Sequence, residues 1–264
     1  MIIILELNQI HLGDCLDIMK NIDNDSIDLT VTSPPYDNLR NYNNSLEWSF
    51  DIFKPIADEL FRVAKHGGVV VWVVGDATIK RSETGSSFKQ ALYFKDIGFD
   101  LHDTMIYQKA SQPRQNNRYE QSFEYMFVFS KGKIKTTNLI RVPSKNAGKV
   151  VKRTCRDNNR DDLKNTTNVV SNTKIKDNIW FYGSKKNETG HPAIFPEQLA
   201  YDHIVSWSNE RDLVLDPFAG SGTTCKMAML AGRDYIGIEK DEEYYELAKN
   251  RISEASNTNR SATT

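Results

Sequence analysis

Short apolar runs alternate with longer amphipathic stretches along most of this chain, and the two periods separate strands from helices. Residues 8–12 read as a short strand, closed by a turn at Gly13-Asp14 and followed by a helix through Met19. Residues 27–32 read as a buried strand ending at Ser33-Pro34-Pro35, where two prolines cannot continue a ladder and force an extended turn. The pattern predicts a helix over 48–64, with Leu60, Val63 and Ala64 among its apolar positions, stopped by Gly67-Gly68. Residues 69–74 are apolar without interruption, the mark of a strand buried on both faces. A helix over 88–96 and strands over 104–108 and 125–130 follow. Further on come a helix over 196–207, a strand over 213–215, a glycine turn and a helix over 223–231. A strand over 235–238 and a helix over 241–252 complete the series. This alternation predicts an α/β domain with a parallel or mostly parallel sheet.

Two stretches break the pattern. Residues 131–178 are polar, basic and rich in Asn and Thr, which suits an insertion that carries specificity rather than core. The tail from Ser253 is small and polar, so it is expected to fray, with 255–264 disordered.

Composition adds limits. The length of 264 residues suits one large α/β domain with a modest insertion. Cys15, Cys155 and Cys225 lie far apart, so neither a zinc site nor a disulfide framework is expected and a reducing compartment is the natural setting. The apolar start is short, lacks a basic flank and meets Glu6 at once. Neither a secretion signal nor a bilayer span is expected, and the protein reads as cytoplasmic, with no metal and no membrane partner. The formal net charge of −1 conceals an asymmetry: residues 131–186 carry fifteen Lys/Arg against four Asp/Glu, a local +11 that leaves −12 for the rest. A basic segment on an acidic body suits phosphate binding and equally suits a solvated loop.

Chemistry enters at two turns. Residues 213–224, Leu-Val-Leu-Asp-Pro-Phe-Ala-Gly-Ser-Gly-Thr-Thr, run strand, glycine turn and helix start. Gly220 and Gly222 remove side chains where a ligand could lie against backbone, and the helix N-terminus that follows suits an anionic group. Glu239 ends the next strand, nineteen residues after Gly220, where an α/β nucleotide fold places an acid on ribose hydroxyls. A dinucleotide would want a third glycine where Cys225 stands, and no Gly-Lys-Ser/Thr run marks a nucleoside triphosphate site. S-adenosyl-L-methionine, with an adenosine, a zwitterionic end and no phosphate, fits best.

At the other turn, Thr32-Ser33-Pro34-Pro35-Tyr36 leaves the buried strand 27–32. An exocyclic amine on cytosine or adenine is a poor nucleophile because its lone pair is delocalised into the ring. The Ser33 hydroxyl oxygen and the Pro34 carbonyl could accept both amine hydrogens and favour a pyramidal nitrogen. Pro35 stiffens the loop, and Tyr36 would stack on a base extruded from the duplex.

These residues carry a resemblance. Asp216-Pro217-Phe218-Ala219-Gly220-Ser221-Gly222-Thr223 resembles the cofactor motif of DNA amino-methyltransferases, and Ser33-Pro34-Pro35-Tyr36 resembles their catalytic motif. The catalytic motif comes first and the basic insertion lies between the two, the order of the permuted beta group. The stretch 191–199, beginning His-Pro-Ala-Ile-Phe, is similar to that group's segment packed over the cofactor, which would put Phe195 on it. Gly13-Asp14 resembles the acidic contact to the cofactor adenine, and 118–131 the late-sheet segment before the recognition region.

The resemblance implies a Rossmann-like methyltransferase fold with a mostly parallel seven-stranded sheet. It implies catalytic parts at 1–130 and 179–254, and a target-recognition region at 131–178. The expected substrate is double-stranded DNA, with Lys145, Lys149, Lys152, Arg153 and Arg156 as contacts to it. A cognate restriction endonuclease acting on the same site and a homodimer are compatible partners. Ser33 in first place favours cytosine N4 over adenine N6 within the family. Asn-Pro-Pro-Tyr relatives that methylate RNA or protein glutamine, and a non-catalytic DNA-binding subunit, are the rival readings.

Several residues keep a plainer alternative. Asp14 is equally suited to capping the following helix. His191 is better suited to shaping a turn, while Phe195 and Phe218 suit either the core or a pocket wall for adenine or the sulfonium. Glu239 could pair with a lysine. Asp37 and Asp76 could take the proton lost after transfer, but read better as solvated acids.

Overall fold

The structure is a computed structural model that describes residues 5–35, 48–110, 117–157, 160–183 and 196–262, without the side chains of 153–166 and 259–262. Contacts divide the chain into one unit of Met1–Asn138 with Asn178–Thr264 and a second of Leu139–Asp177. The second unit begins later than the 131 expected from composition, because 131–138 packs with the first. There the Lys131 ammonium donates to Asp25 Oδ1 at 2.7 Å and to the carbonyls of Phe61 and Ala64.

The first unit opens with β1 (Gln9–Leu12), α1 (Cys15–Met19), β2 (Ile27–Thr32), α2 (Phe50–Val63) and β3 (Ala64–Val74). A small hairpin of β4 (Thr78–Ile79) and β5 (Ser82–Glu83) precedes α3 (Ser86–Asp96), β6 (Asp100–Gln108) and β7 (Phe123–Ser130). The second unit holds β8 (Arg141–Pro143), β9 (Val150–Asp157), β10 (Arg160–Val169) and β11 (Thr173–Ile175), paired antiparallel as β9–β10 and β8–β11. The first unit resumes with β12 (Ile179–Phe181), α4 (Glu197–Trp207), β13 (Leu213–Asp216), α5 (Thr223–Leu230), β14 (Asp234–Glu239) and α6 (Glu242–Ala262).

The sheet of the first unit has eight strands in the order β1-β14-β13-β2-β3-β7-β6-β12. It has one more than expected, since the three residues of β12 are too few to show a period. All pairs are parallel except those of β7, which runs against both neighbours. Every other strand therefore ends at one edge. The five valines of β3 are all buried, with Trp72 between them fully buried among Phe53, Phe94 and Phe129. Helix α2 places Phe53, Ile56, Ala57, Leu60 and Val63 on one buried face, the spacing of an amphipathic helix.

Two local expectations change. Helix α2 ends at Val63, and Gly67-Gly68 lies inside β3. A side chain at Gly68 would sit 2.9 Å from the Lys65 carbonyl and 3.1 Å from those of Ile27 and Asp28, so that glycine serves close strand approach rather than a helix stop. The last helix continues to Ala262 instead of fraying at Ser253. None of the described helices is long and apolar enough to cross a membrane.

Candidate active site

The two turns singled out in the sequence leave neighbouring strands. β13 pairs with β2 in parallel, Val214 opposite Leu29 and Leu215 opposite Thr30. The loop after Thr32 and the loop after Asp216 therefore start side by side at the common edge. A buried hydrogen bond joins them: Thr32 Oγ1 donates to Asp216 Oδ1 at 2.6 Å. Thr224, in the first turn of α5, donates to the Val31 carbonyl at 3.1 Å. Pro34, Pro35 and Pro217 are buried and Ser33 is half-buried. Tyr36, Asp37, His191 and Phe195 lie outside the described residues.

Asp216 was expected to hold cofactor, but its carboxyl faces this joint. It is buried and also accepts the Phe218 amide at 3.1 Å. Burial pushes its pKa up to about 6, against the lowering effect of the Thr32 and Phe218 donors. Asp216 thus positions both loops from behind.

On the other side, β14 pairs with β13 and β1 with β14, Leu12 opposite Glu239. The Glu239 carboxylate accepts the amides of Gly220 at 2.7 Å, Lys240 at 2.9 Å and Asp241 at 2.8 Å. Burial raises its pKa while these amides oppose the shift. A carboxylate has about four lone-pair sites. Three amides leave capacity for a hydroxyl donor, so the plainer reading of Glu239 as a lysine partner is replaced by a tie between the glycine turn and the end of β14. Asp14 caps α1 by accepting the Leu16 amide at 3.0 Å, and Lys240 reaches its other oxygen at 3.4 Å.

The glycines differ in purpose. Gly222 caps α5 at φ +76°, and a Cβ there would sit 2.9 Å from Ala248 Cβ of α6. Its bareness permits the close packing of α5 on α6. Gly220, also left-handed at φ +51°, holds the turn itself. Thr223 is buried, its hydroxyl 3.4 Å from Arg251 Nη1.

Phe218 is partly buried against the core, edge-on to Trp48 with centroids 5.5 Å apart and to Trp72 at 6.2 Å. Trp48, read in the sequence as no more than a helix start, thereby carries the catalytic side of the chain onto the cofactor turn. Its place directly before the Ser49 cap was the available signal. Asp76, expected to be a solvated acid, is buried and accepts Ser87 Oγ at 2.6 Å and the Ser87 amide at 2.9 Å. It fixes the start of α3.

The donor set fits S-adenosyl-L-methionine. Residues 216–224 contain no Lys or Arg, and the nearby cations are engaged with protein acids. Lys226 and Arg251 meet Glu197 at 2.7 and 3.0 Å, and Lys240 meets Asp14. The turn and its surroundings offer acids but little positive charge for a phosphate. The amides of Phe218, Ala219, Gly220 and Gly222 are bonded within the protein, so Glu239 would hold the ribose, Asp14 the adenine edge, and the Ser221 side of the turn the amino acid end.

In the second unit Lys145, Lys149 and Lys152 are exposed, with Lys149 donating to Asn146 Oδ1 at 3.0 Å. Arg153 and Arg156 stand on β9 opposite Thr166 and Leu163, and their side chains lie outside the description.

Comparison with known proteins bears on this arrangement. Residues 27–250 match the model of the N6/N4 DNA methylase family. The chain is 54% identical over 245 residues to the orphan methyltransferase M.BamHII of Bacillus amyloliquefaciens, covering 88% of this chain and 91% of that one. It is 30% identical to the type II methyltransferase M.HpaI of Haemophilus parainfluenzae, covering 91% and 72%. A structure described as a DNA modification methylase of Thermus thermophilus, complexed with S-adenosyl-L-methionine, superposes with a TM-score of 0.65 at 25% identity, covering 94% and 95%. The cytosine-N4-specific PvuII DNA methyltransferase shares the fold with a TM-score of 0.72 at 20% identity, covering 94% and 90%. The chain belongs to the N6/N4 DNA methylase family, whose methyl donor is S-adenosyl-L-methionine.

Proposed function

We propose that this DNA methyltransferase acts on N4 of a cytosine flipped out of duplex DNA, with Ser33 and Pro34 holding the amine and Tyr36 stacking on the base. The observation that carries the reading is the 2.6 Å hydrogen bond from Thr32 to Asp216, because it ties the strand before Ser33 to the strand before Gly220. When bound, S-adenosyl-L-methionine supplies an electrophilic methyl group. The Ser33 oxygen and the Pro34 carbonyl accept the two amine hydrogens and direct the nitrogen lone pair towards the cofactor side. The buried prolines hold that geometry, and alignment of this quality lowers a barrier by about 7–11 kcal/mol. Flipping costs a few kcal/mol, recovered in part by stacking on Tyr36. Asp76 is committed to α3, which leaves Asp37 or water to take the released proton.

Glu239, Asp14 and the turn 217–222 form the cofactor cradle, with Phe218 and Phe195 as apolar walls. Lys145, Lys149, Lys152, Arg153 and Arg156 contact the duplex, and 139–177 is the recognition region. Likeness to an orphan enzyme favours action without a paired nuclease. A homodimer is compatible with this reading and is tested by the mass of the protein in solution.

Ser33 in the first position favours cytosine. Adenine N6 is the second reading, supported by 29% identity to the DNA adenine methyltransferase YhdJ of Escherichia coli. Mass spectrometry of nucleosides from methylated duplex is expected to show N4-methylcytosine; N6-methyladenine alone overturns the choice of base. Transfer of labelled methyl to tRNA or protein in preference to duplex would overturn the substrate class.

A further inference from the structure

We propose that the tip of the β4–β5 hairpin, Lys80-Arg81, grips the phosphate backbone of the substrate duplex beside the active-site edge. The inference rests on duplex DNA being the substrate. It adds a contact in the catalytic unit itself, on an element that the sequence pattern did not predict.

Placement comes first. β3 is parallel to β2, Thr32 opposite Trp72, so the hairpin that follows β3 rises from the same edge as the Ser33 loop. A duplex that offers a base to Ser33 must lie over this edge.

The backbone gives the second reason. Thr78 pairs with Glu83 and Ile79 with Ser82, leaving Lys80 and Arg81 as a two-residue turn. Both are left-handed, at φ +48° and +71°. Such a turn favours Asn-Gly, and two long side chains at both positions run against that preference. Two long basic side chains at so unfavourable a tip point to a use for them. Both are exposed, and no described residue pairs with either head group.

The surroundings give the third. Arg118 braces the hairpin, donating to Glu83 Oε1 at 3.3 Å and to the Arg81 carbonyl. Glu83, the acid nearest the tip in sequence, is thereby engaged with Arg118. Tyr119 beside it is fully exposed, and with Thr78 and Glu83 it lines a polar cleft of about 360 Å³. A braced basic tip beside a bare aromatic suits a sugar-phosphate strand, with charge for the phosphate and a ring for sugar or base. Outside 131–186 the chain is acidic by 12 charges, so this doublet has no general basic field to belong to.

The test uses the paired substitution Lys80→Asn with Arg81→Gly, which removes both charges while installing the residues that such a turn prefers. Binding of a labelled mixed-sequence duplex is measured between about 50 and 200 mM salt. The plot of log affinity against log salt is expected to become shallower by about 1.8, two contacts at about 0.9 each, with affinity weaker by roughly tenfold. Melting temperature should hold or rise, and cofactor binding should not change. The charge-preserving pair Lys80→Arg with Arg81→Lys should bind as the parent does. Unchanged slope and affinity in the first variant overturns the proposal. So does equal loss in the charge-preserving pair, since charge would then not be the cause. A parent protein that fails to bind duplex at all would instead overturn the DNA reading itself.

Discussion

Where β2 meets β13, the polar groups that join the two loops are buried and paired, Thr32 on Asp216 and Thr224 on Val31, and beside them the Gly220 amide is held by Glu239 at the end of β14. In the Leu139–Asp177 unit the lysines named for DNA stand in solvent, Lys145 and Lys149 in the turn between β8 and β9 and Lys152 on β9. The contrast follows from what each region must do. An in-line methyl transfer tolerates little displacement, so its loops are anchored in low dielectric, where a hydrogen bond to a carboxylate is strong. A surface for a polyanion gains from charge kept in water until contact, with the counterions of the DNA released on binding.

Predictions that separate the regions run from the largest effect down. Ser33→Ala should cut methyl transfer by about 10²–10³, the usual cost of losing one hydrogen-bonding group aimed at the reacting centre. Pro34→Ala should also fall steeply, and calorimetry should show cofactor binding intact in both. Activity near the parent level in both variants would break the assignment of the catalytic side.

Thr32→Val tests the joint. Asp216 has its folded pKa raised to about 6, so its contribution to stability is present in acid and lost as pH rises through that value. Removing the hydroxyl takes away a donor to the ionised form, raises the pKa further and enlarges the loss. Urea unfolding at about pH 8 should show about 1.5–3 kcal/mol less stability, a difference that shrinks below about pH 4, where both states are protonated. A loss independent of pH would mean that the carboxyl is not the partner that matters.

Gly222→Ala should cost about 1–3 kcal/mol from the left-handed backbone and the approach to Ala248. The slope of DNA affinity against salt should not change. The smallest effect on stability belongs to the second region. Replacing Lys145, Lys149 and Lys152 together by Ala should leave stability within about 0.5 kcal/mol. It should flatten that slope by up to about 2.7 and raise the KM for DNA without a matching fall in kcat. A fall in kcat alone would erase the distinction between the regions.

Much of the first unit was legible because its signals are local. The apolar residues 69–74, the prolines after Ser33 and the spacing from Gly220 to Glu239 each announce a strand, a stop or a turn. The misread parts depended on distant partners. Gly68 reads as a helix stop until Ile27 and Asp28 are seen beside it, and Asp76 reads as a surface acid until Ser87 is seen closing on it. The ladders of 139–177 gave no clear period, since neither needs an apolar face of its own to show in the sequence.

By itself, the sequence determined the α/β alternation, the two motif loops and the basic insertion, because periodicity, proline and glycine geometry and charge are properties of neighbouring residues. The tertiary structure decided that Asp216 works behind the loops, that Gly222 serves α6, that Trp48 meets Phe218, and that Lys80-Arg81 rises from the active edge. Burial and strand adjacency set those roles, and both arise from residues far apart in the chain.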